Sequence, residues 1–167
     1  MKAVIDSSLA HLQAWMPWAM DEPSSAADLV KRIQKFKDDF GAGSEWLFGI
    51  FSADGAEVVG GTGLHQRIGP GGLEIGYWIG QSHTRNGYAT EAAAAMTGLA
   101  FTNPTIERVQ IRCDPKNVAS AVIPRRLGYE HIDTLRSDTV TPAGAPRDTM
   151  VWQITRAEFE QSRAEDR

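Results

Sequence analysis

Six consecutive residues, Thr84, Arg85, Asn86, Gly87, Tyr88 and Ala89, have the types and order that bind an anion. They stand between an apolar run, Leu73 to Gly80, and an alanine-rich run, Ala89 to Phe101. The first reads as a buried strand and the second as a helix. A strand that feeds a polar loop and then a helix aims successive backbone N–H groups at one point. The open N-terminus of the helix adds a partial positive charge there. Gly87 permits a positive φ and close backbone approach, Ala89 is too small to cover the amides, and Arg85 supplies a formal charge. The chemistry is recognition of a phosphate or pyrophosphate, with the amides of Asn86 to Thr90 as the donors.

A second group lies in CDPKNVASAVIPRRLGY, where Asp114, Pro115, Asn117 and Ser120 occupy a strand-to-helix junction. Asn117 offers an amide and Ser120 a hydroxyl at that junction, and the alternative is that both only cap the helix, as these residue types often do. Glu74 is the carboxylate best placed for proton transfer: strand alternation puts it on one face with Gly76 and Trp78. It could equally be an exposed strand carboxylate. Glu91, in the first helical turn, suits the helix dipole and reads as structural. His11, His65, His83 and His131 show no metal-ligand spacing with Cys113, so no metal is expected. Gly61 and Gly63 do not make a dinucleotide fingerprint, because no helix follows and the last glycine is missing. There is no G-x-S-x-G of a hydrolase and no phosphate-loop lysine.

These groups must be positioned by one domain. With 167 residues, 42% hydrophobic and 23% charged, the chain can bury a sizeable core, and residues 1–167 read as one domain with a charged tail over 158–167. A formal charge of −4 argues against a nucleic-acid surface, while Lys116, Arg125 and Arg126 offer a local basic patch. No apolar run is long enough to span a membrane and no secretory leader is evident. One cysteine excludes an internal disulfide and suits a reducing cytoplasm.

Along the chain, Asp6 to Trp15 reads as a short helix ended by Pro17. Ser25 with Asp28 is a capping signal for a second helix running to Gly41 through Leu29, Ile33, Phe36 and Phe40. EWLFGIFSA and AEVVGGTGLHQR, joined at Asp54-Gly55, read as a hairpin. IERVQIRCD reads as a strand and Asn117 to Leu127 as a helix stopped by Gly128. HIDTLRSDTV and RDTMVWQIT read as a closing antiparallel pair.

The stretch EIGYWIGQSHTRNGYATEA resembles the pyrophosphate loop of the GNAT N-acetyltransferases, whose pattern is Gln/Arg-x-x-Gly-x-Gly/Ala. Thr84, Gly87 and Ala89 stand at those positions, and Arg85 takes over the charge that Thr84 lacks. GYATEA with EIGYW upstream is most similar to the RimJ/RimL branch. The resemblance implies an α/β (α+β) GNAT fold: a central, mixed, mostly antiparallel, splayed sheet flanked by helices. The family normally opens with a further edge strand, which the order of elements lacks here, and an uncovered edge favours association. A homodimer is therefore expected.

What the resemblance implies chemically is transfer of an acetyl or other short acyl group from acyl-CoA to an amine, by direct attack in a ternary complex. The alternative is a non-catalytic acyl-CoA-binding module on the same scaffold. Acetyl-CoA is the expected cosubstrate, held by Trp78, Ile79, Arg85, Asn86, Gly87, Tyr88, Ala89, Thr90 and Asn117. The Asn117 amide is expected on the pantetheine, and a backbone N–H near Ile79 is expected on the oxyanion. Glu74 is expected as the base and Ser120 as the acid for the leaving thiolate. Many family members use a tyrosine one turn on, where this chain has Pro124. Trp18 and His65 are expected beside the acceptor. A lysine amine is only about 0.04% neutral at pH 7, against about 15% for a peptide α-amine, so the latter makes the smaller demand on a base.

Overall fold

A computed structural model describes residues 1–165, and the last two positions of the expected tail lie outside the described residues. The element order is α1 (Lys2–Asp6), α2 (Leu9–Gln13), a 3₁₀ turn (Pro17–Asp21), α3 (Ala26–Ala42), β1 (Glu45–Phe51), β2 (Val58–His65), β3 (Gly72–Ile79), α4 (Tyr88–Ala100), β4 (Arg108–Cys113), α5 (Val118–Arg126), β5 (Glu130–Val140), β6 (Pro146–Thr155) and α6 (Arg156–Glu165). All six strands form one sheet in the order β1-β2-β3-β4-β6-β5. Only β3 and β4 run parallel; the other neighbours are antiparallel. The expected mixed, mostly antiparallel sheet is what forms, with β1 and β5 at its edges.

The β3–β4 ladder sets the site. It pairs Gly72 with Arg108 and ends at Ile75 with Ile111. β3 continues to Ile79 without a β4 partner, so the sheet splays from Gly76 onward.

One face carries the main core. Ile75, Val109, Ile111 and Trp152 are buried there against Ala93 and Met96 of α4 and Ala121 of α5. Alanine lets α4 approach the sheet closely; Ala93 is fully buried. The opposite face carries Glu45, His65, Glu74 and Gln110 in one row, since these are direct register partners across β1, β2, β3 and β4. α1, α2 and the 3₁₀ turn pack a smaller cluster through Ile5, Leu12 and Ala19, which reaches Trp18 and Trp78.

Local signals explain most boundaries. The Ser25 Oγ accepts the Asp28 N–H at 3.1 Å and starts α3. Gly43, at φ 69°, ends it in the left-handed conformation. Of the single helix expected over Asp6–Trp15 only α2 (Leu9–Gln13) forms, and a separate helix, α1, precedes it and ends at Asp6. The break falls at Ser8, which is buried and whose Oγ accepts the backbone N–H of Gln81 at 2.9 Å. Among the described residues the charged tail belongs to α6, pinned at its start, where Phe159 stacks on Phe101 with ring centroids 5.0 Å apart.

Candidate active site

Where β3 enters α4, the backbone is strained in a useful way. Arg85 (φ 66°) and Gly87 (φ 87°) both adopt left-handed conformations. Alternation of this kind turns successive N–H groups into a concave nest for an anion. The amides of residues 85 to 89 make no hydrogen bond among the described residues, and Arg85, Asn86 and Gly87 are exposed. Thr90, by contrast, donates to the Gly87 carbonyl at 2.9 Å. The open donors therefore run from Arg85 to Ala89, one residue earlier than the sequence suggested.

The splay is spanned from below by Tyr77. Its hydroxyl lies 3.1 Å from the Ser120 Oγ and 3.3 Å from the Ser120 carbonyl. Pro124 explains why that carbonyl is available: proline has no N–H, so the i→i−4 bond to Ser120 is missing. Pro124 removes a tyrosine from α5, yet it opens a seat for a tyrosine from β3. Burial pushes the Tyr77 phenol above its ordinary value, against the lowering effect of the Ser120 hydrogen bond. Asn117 is the N-cap of α5, and its Oδ1 accepts the Ser120 N–H at 3.1 Å. Its Nδ2 has no partner among the described residues and is free to donate. Burial likewise pushes up the Cys113 thiol beside Ser120.

On the other face a cleft of roughly 930 Å³ lies over the splayed part of β3. Gly61, Gly63 and Gly76 form its floor, and Trp18, Phe36 and Phe48 line its apolar side. Trp18 meets Trp78 edge-to-face at 5.6 Å. Gly61 and Gly63 leave no room for a side chain: a Cβ on Gly61 would lie 2.5 Å from the Trp78 Nε1, and one on Gly63 2.3 Å from the Leu47 Cδ2. Arg32, Lys37 and Arg67 bring positive charge to the walls, and Glu45 is the carboxylate there.

Arg32 is held by Glu22, whose side chain is almost fully buried and bonded at 2.5 Å. Burial alone would raise the Glu22 carboxyl; hydrogen bonds from Ser24 and Arg32 outweigh it and hold it below the ordinary carboxylate value.

The two carboxylate candidates part company here. Glu74 is buried rather than exposed. It accepts from Arg67 at 2.7 Å and lies 3.8 Å from the Arg112 Nε. Arg67, not Glu74, stands on the cleft wall. Glu91 sits beside Gly87, its Oε1 3.5 Å from where a Cβ would be. His65 and Trp18 both line the cleft, and the ring of Trp78 faces it rather than the amide loop. Ile79 is buried at the end of β3. Tyr77 and Glu45 are candidate site residues that the sequence reading missed. A proline four residues after Ser120 was the one local sign of the first.

The profile of the acetyltransferase (GNAT) domain matches residues 3–130. This chain belongs to the GNAT acetyltransferase family. The reaction of such a domain is acyl transfer from acyl-CoA to an amine, and acyl-CoA is its cosubstrate. YjdG of Bacillus subtilis (strain 168), an uncharacterized N-acetyltransferase, is 37% identical over 85 residues, which is 50% of this chain and 49% of that protein. The probable N-acetyltransferase YjcK of the same organism is 28% identical over 134 residues, 78% of this chain and 73% of its own. RimL, a ribosomal L7/L12 alpha-N-protein acetyltransferase solved with coenzyme A, has a TM-score of 0.83 at 20% identity, covering 94% of this chain and 87% of its own. At that identity the likeness is one of fold, and the fold is RimJ/RimL-like.

Proposed function

We propose that this protein transfers an acetyl group from acetyl-CoA to the α-amine of a peptide or to another primary amine on an apolar body, by direct attack in a ternary complex. One observation carries the reading: the open amides of residues 85 to 89 and the apolar cleft lie at opposite ends of the same unpaired stretch of β3. A CoA pyrophosphate on those amides, with its pantetheine along the splay past the Asn117 Nδ2, would bring the thioester to the Gly76 floor. Ser120, partnered by Tyr77, then stands where the departing thiolate needs a proton.

The acceptor class follows from the lining. Arg32 is paired with Glu22 and Arg67 with Glu74, which leaves Lys37 against Glu45, so a polyamine or aminoglycoside finds no acidic pocket inside the cleft, whatever the net charge of −4 does at long range. A peptide N-terminus with an apolar side chain fits aromatic walls and makes the smaller demand on a base. RimL, a structural neighbour, is described as an alpha-N-protein acetyltransferase, which supports the same class. In an acetyl-CoA turnover screen, short peptides with apolar N-terminal residues should outpace spermidine and aminoglycosides by at least tenfold in kcat/KM. Faster turnover of the polycations would refute the acceptor class; CoA binding without turnover of any amine would refute catalysis.

The same reading places the protein in a reducing compartment such as the cytoplasm and makes it a homodimer. Among the described residues, β1 is an unpaired edge and carries Phe51, which is 53% exposed. Light scattering at working concentration should return twice the monomer mass of 18.3 kDa, and a monomer mass would refute it.

A further inference from the structure

We infer that His65, oriented by Glu45, is the general base of this site, and that Glu74 serves only to hold Arg67. The inference rests on the acyltransferase reading above and concerns which group takes the proton.

His65 is the last residue of β2 and points into the cleft. Its Nδ1 lies 3.0 Å from the Glu45 Oε1. A carboxylate on Nδ1 fixes the ring and leaves Nε2 as the acceptor. That nitrogen has a definite position: it is the atom a Cβ on Gly76 would meet first, at 3.2 Å. Gly76 is the first residue of β3 beyond the β3–β4 ladder. The free imidazole nitrogen therefore stands over the point where the sheet opens, on the face that carries the cleft. His65 is half-sheltered, with 15% of its side chain exposed, so the ring is neither sealed in the core nor loose in water.

Glu74 is the register partner of His65 on the neighbouring strand, but its carboxylate is engaged by two guanidinium groups, Arg67 and Arg112. A carboxylate so paired gives up those contacts if it takes a proton. Imidazole changes protonation close to neutral pH, where a base is most effective.

The charged groups facing the ring are Glu45 from β1, Glu74 from β3, and Arg67 just after β2. Arg32 and Lys37 of α3, and Met1 with the amino group of the chain, line the same cleft.

The step balances without any further reagent. The amine nitrogen attacks the thioester carbonyl, the C–N bond forms, and the nitrogen's proton passes to His65 Nε2. The C–S bond breaks and the thiolate takes a proton from the Ser120 hydroxyl. The imidazolium proton returns through water to that hydroxyl, so the net transfer is one proton from nitrogen to sulfur.

The test uses the full chain with acetyl-CoA, a Phe-Ala dipeptide amide and, separately, phenethylamine. His65→Gln keeps an acceptor atom and similar volume but cannot serve as a base. It should lower kcat by about 10²–10⁴-fold, leave acetyl-CoA affinity within about twofold, and melt within a few degrees of wild type. The ratio of wild-type to variant rate should fall as pH drops through the imidazole titration, because only the wild type loses a base there. Glu45→Gln should lower kcat less than His65→Gln and leave KM for both amines within about twofold, and Glu45→Asp should recover part of the loss, a split that a merely structural β1–β2 contact would not cause. Glu74→Gln should keep the wild-type acid limb. Turnover of His65→Gln within about threefold of wild type, or an acid limb lost in Glu74→Gln and kept in His65→Gln, overturns the inference while leaving the acyltransferase reading intact. A wild type that turns over neither amine, while binding acetyl-CoA, overturns both.

Discussion

Gly87→Val should weaken acetyl-CoA binding by about 100-fold or more, while Gly87→Ala should weaken it by about tenfold. The cause is conformational. Gly87 sits at φ 87° as the N-cap of α4, in a region that costs a residue with a Cβ about 1–2 kcal/mol and a β-branched residue more. Space is not the obstacle, because an added Cβ would meet only the Glu91 Oε1 at an ordinary 3.5 Å. Valine can relieve the strain by turning its φ negative, and that rotates the amides of Gly87 and Tyr88 away from the common point they share with Arg85, Asn86 and Ala89. A pyrophosphate held by five converging donors would then lose two of them and the register of the rest. Each tenfold loss corresponds to about 1.4 kcal/mol, so the strain and the lost donors together reach the 100-fold figure. Calorimetry with acetyl-CoA measures it directly. The melting temperature should change little, since the loop is exposed and buries no core residue. Unchanged affinity in the valine variant would mean the pyrophosphate is held elsewhere. A fall in both affinity and melting temperature would mean the loop is structural.

Such a loop is legible in a sequence because its signals are local. A positive-φ glycine, a polar approach and an alanine-rich helix occupy one short stretch, and so does the Asn117 cap of α5 with the Ser120 amide three residues on. The order of the six strands and of the longer helices was legible for the same reason, since alternation and helical spacing repeat within each segment. What could not be read depends on register between distant segments. Tyr77 and Ser120 are 43 residues apart and meet only because β3 outruns β4. Glu45 and His65 are 20 apart and meet only because the hairpin pairs them directly. Strand alternation correctly put Glu74 on a face with Gly76 and Trp78, but it cannot say that Arg67 and Arg112 converge on that carboxylate. The helix break at Ser8 has the same origin, for its hydroxyl is taken by an amide 73 residues away.

A contact of this long-range kind supports the second large effect, at the opposite end of the sheet from the cleft. Arg156→Ala should destabilise the protein by about 2–4 kcal/mol. The guanidinium donates to three backbone carbonyls of the loop between α4 and β4: Phe101 at 3.0 Å, Asn103 at 2.7 Å, and Ile106 at 2.8 and 3.1 Å. It also stacks on the Phe101 ring at 5.1 Å, in the pair that Phe101 makes with Phe159 of α6. One side chain thus ties the last carbonyls after α4, the approach to β4 and the start of α6. Alanine leaves those carbonyls without their charged donor and loosens the aromatic stack. For a chain of this size each kcal/mol moves the melting temperature by roughly 2–4 °C, so the expected drop is about 4–16 °C. Lysine should recover only part of it, because a point charge cannot serve three divergent carbonyls as a planar fork does. Acetyl-CoA affinity and kcat, measured well below the transition, should stay within about twofold, since none of these atoms borders the cleft or the amide loop. A melting temperature within 2 °C of wild type would show that water replaces the guanidinium at little cost, and that the start of α6 is held by Phe159 alone.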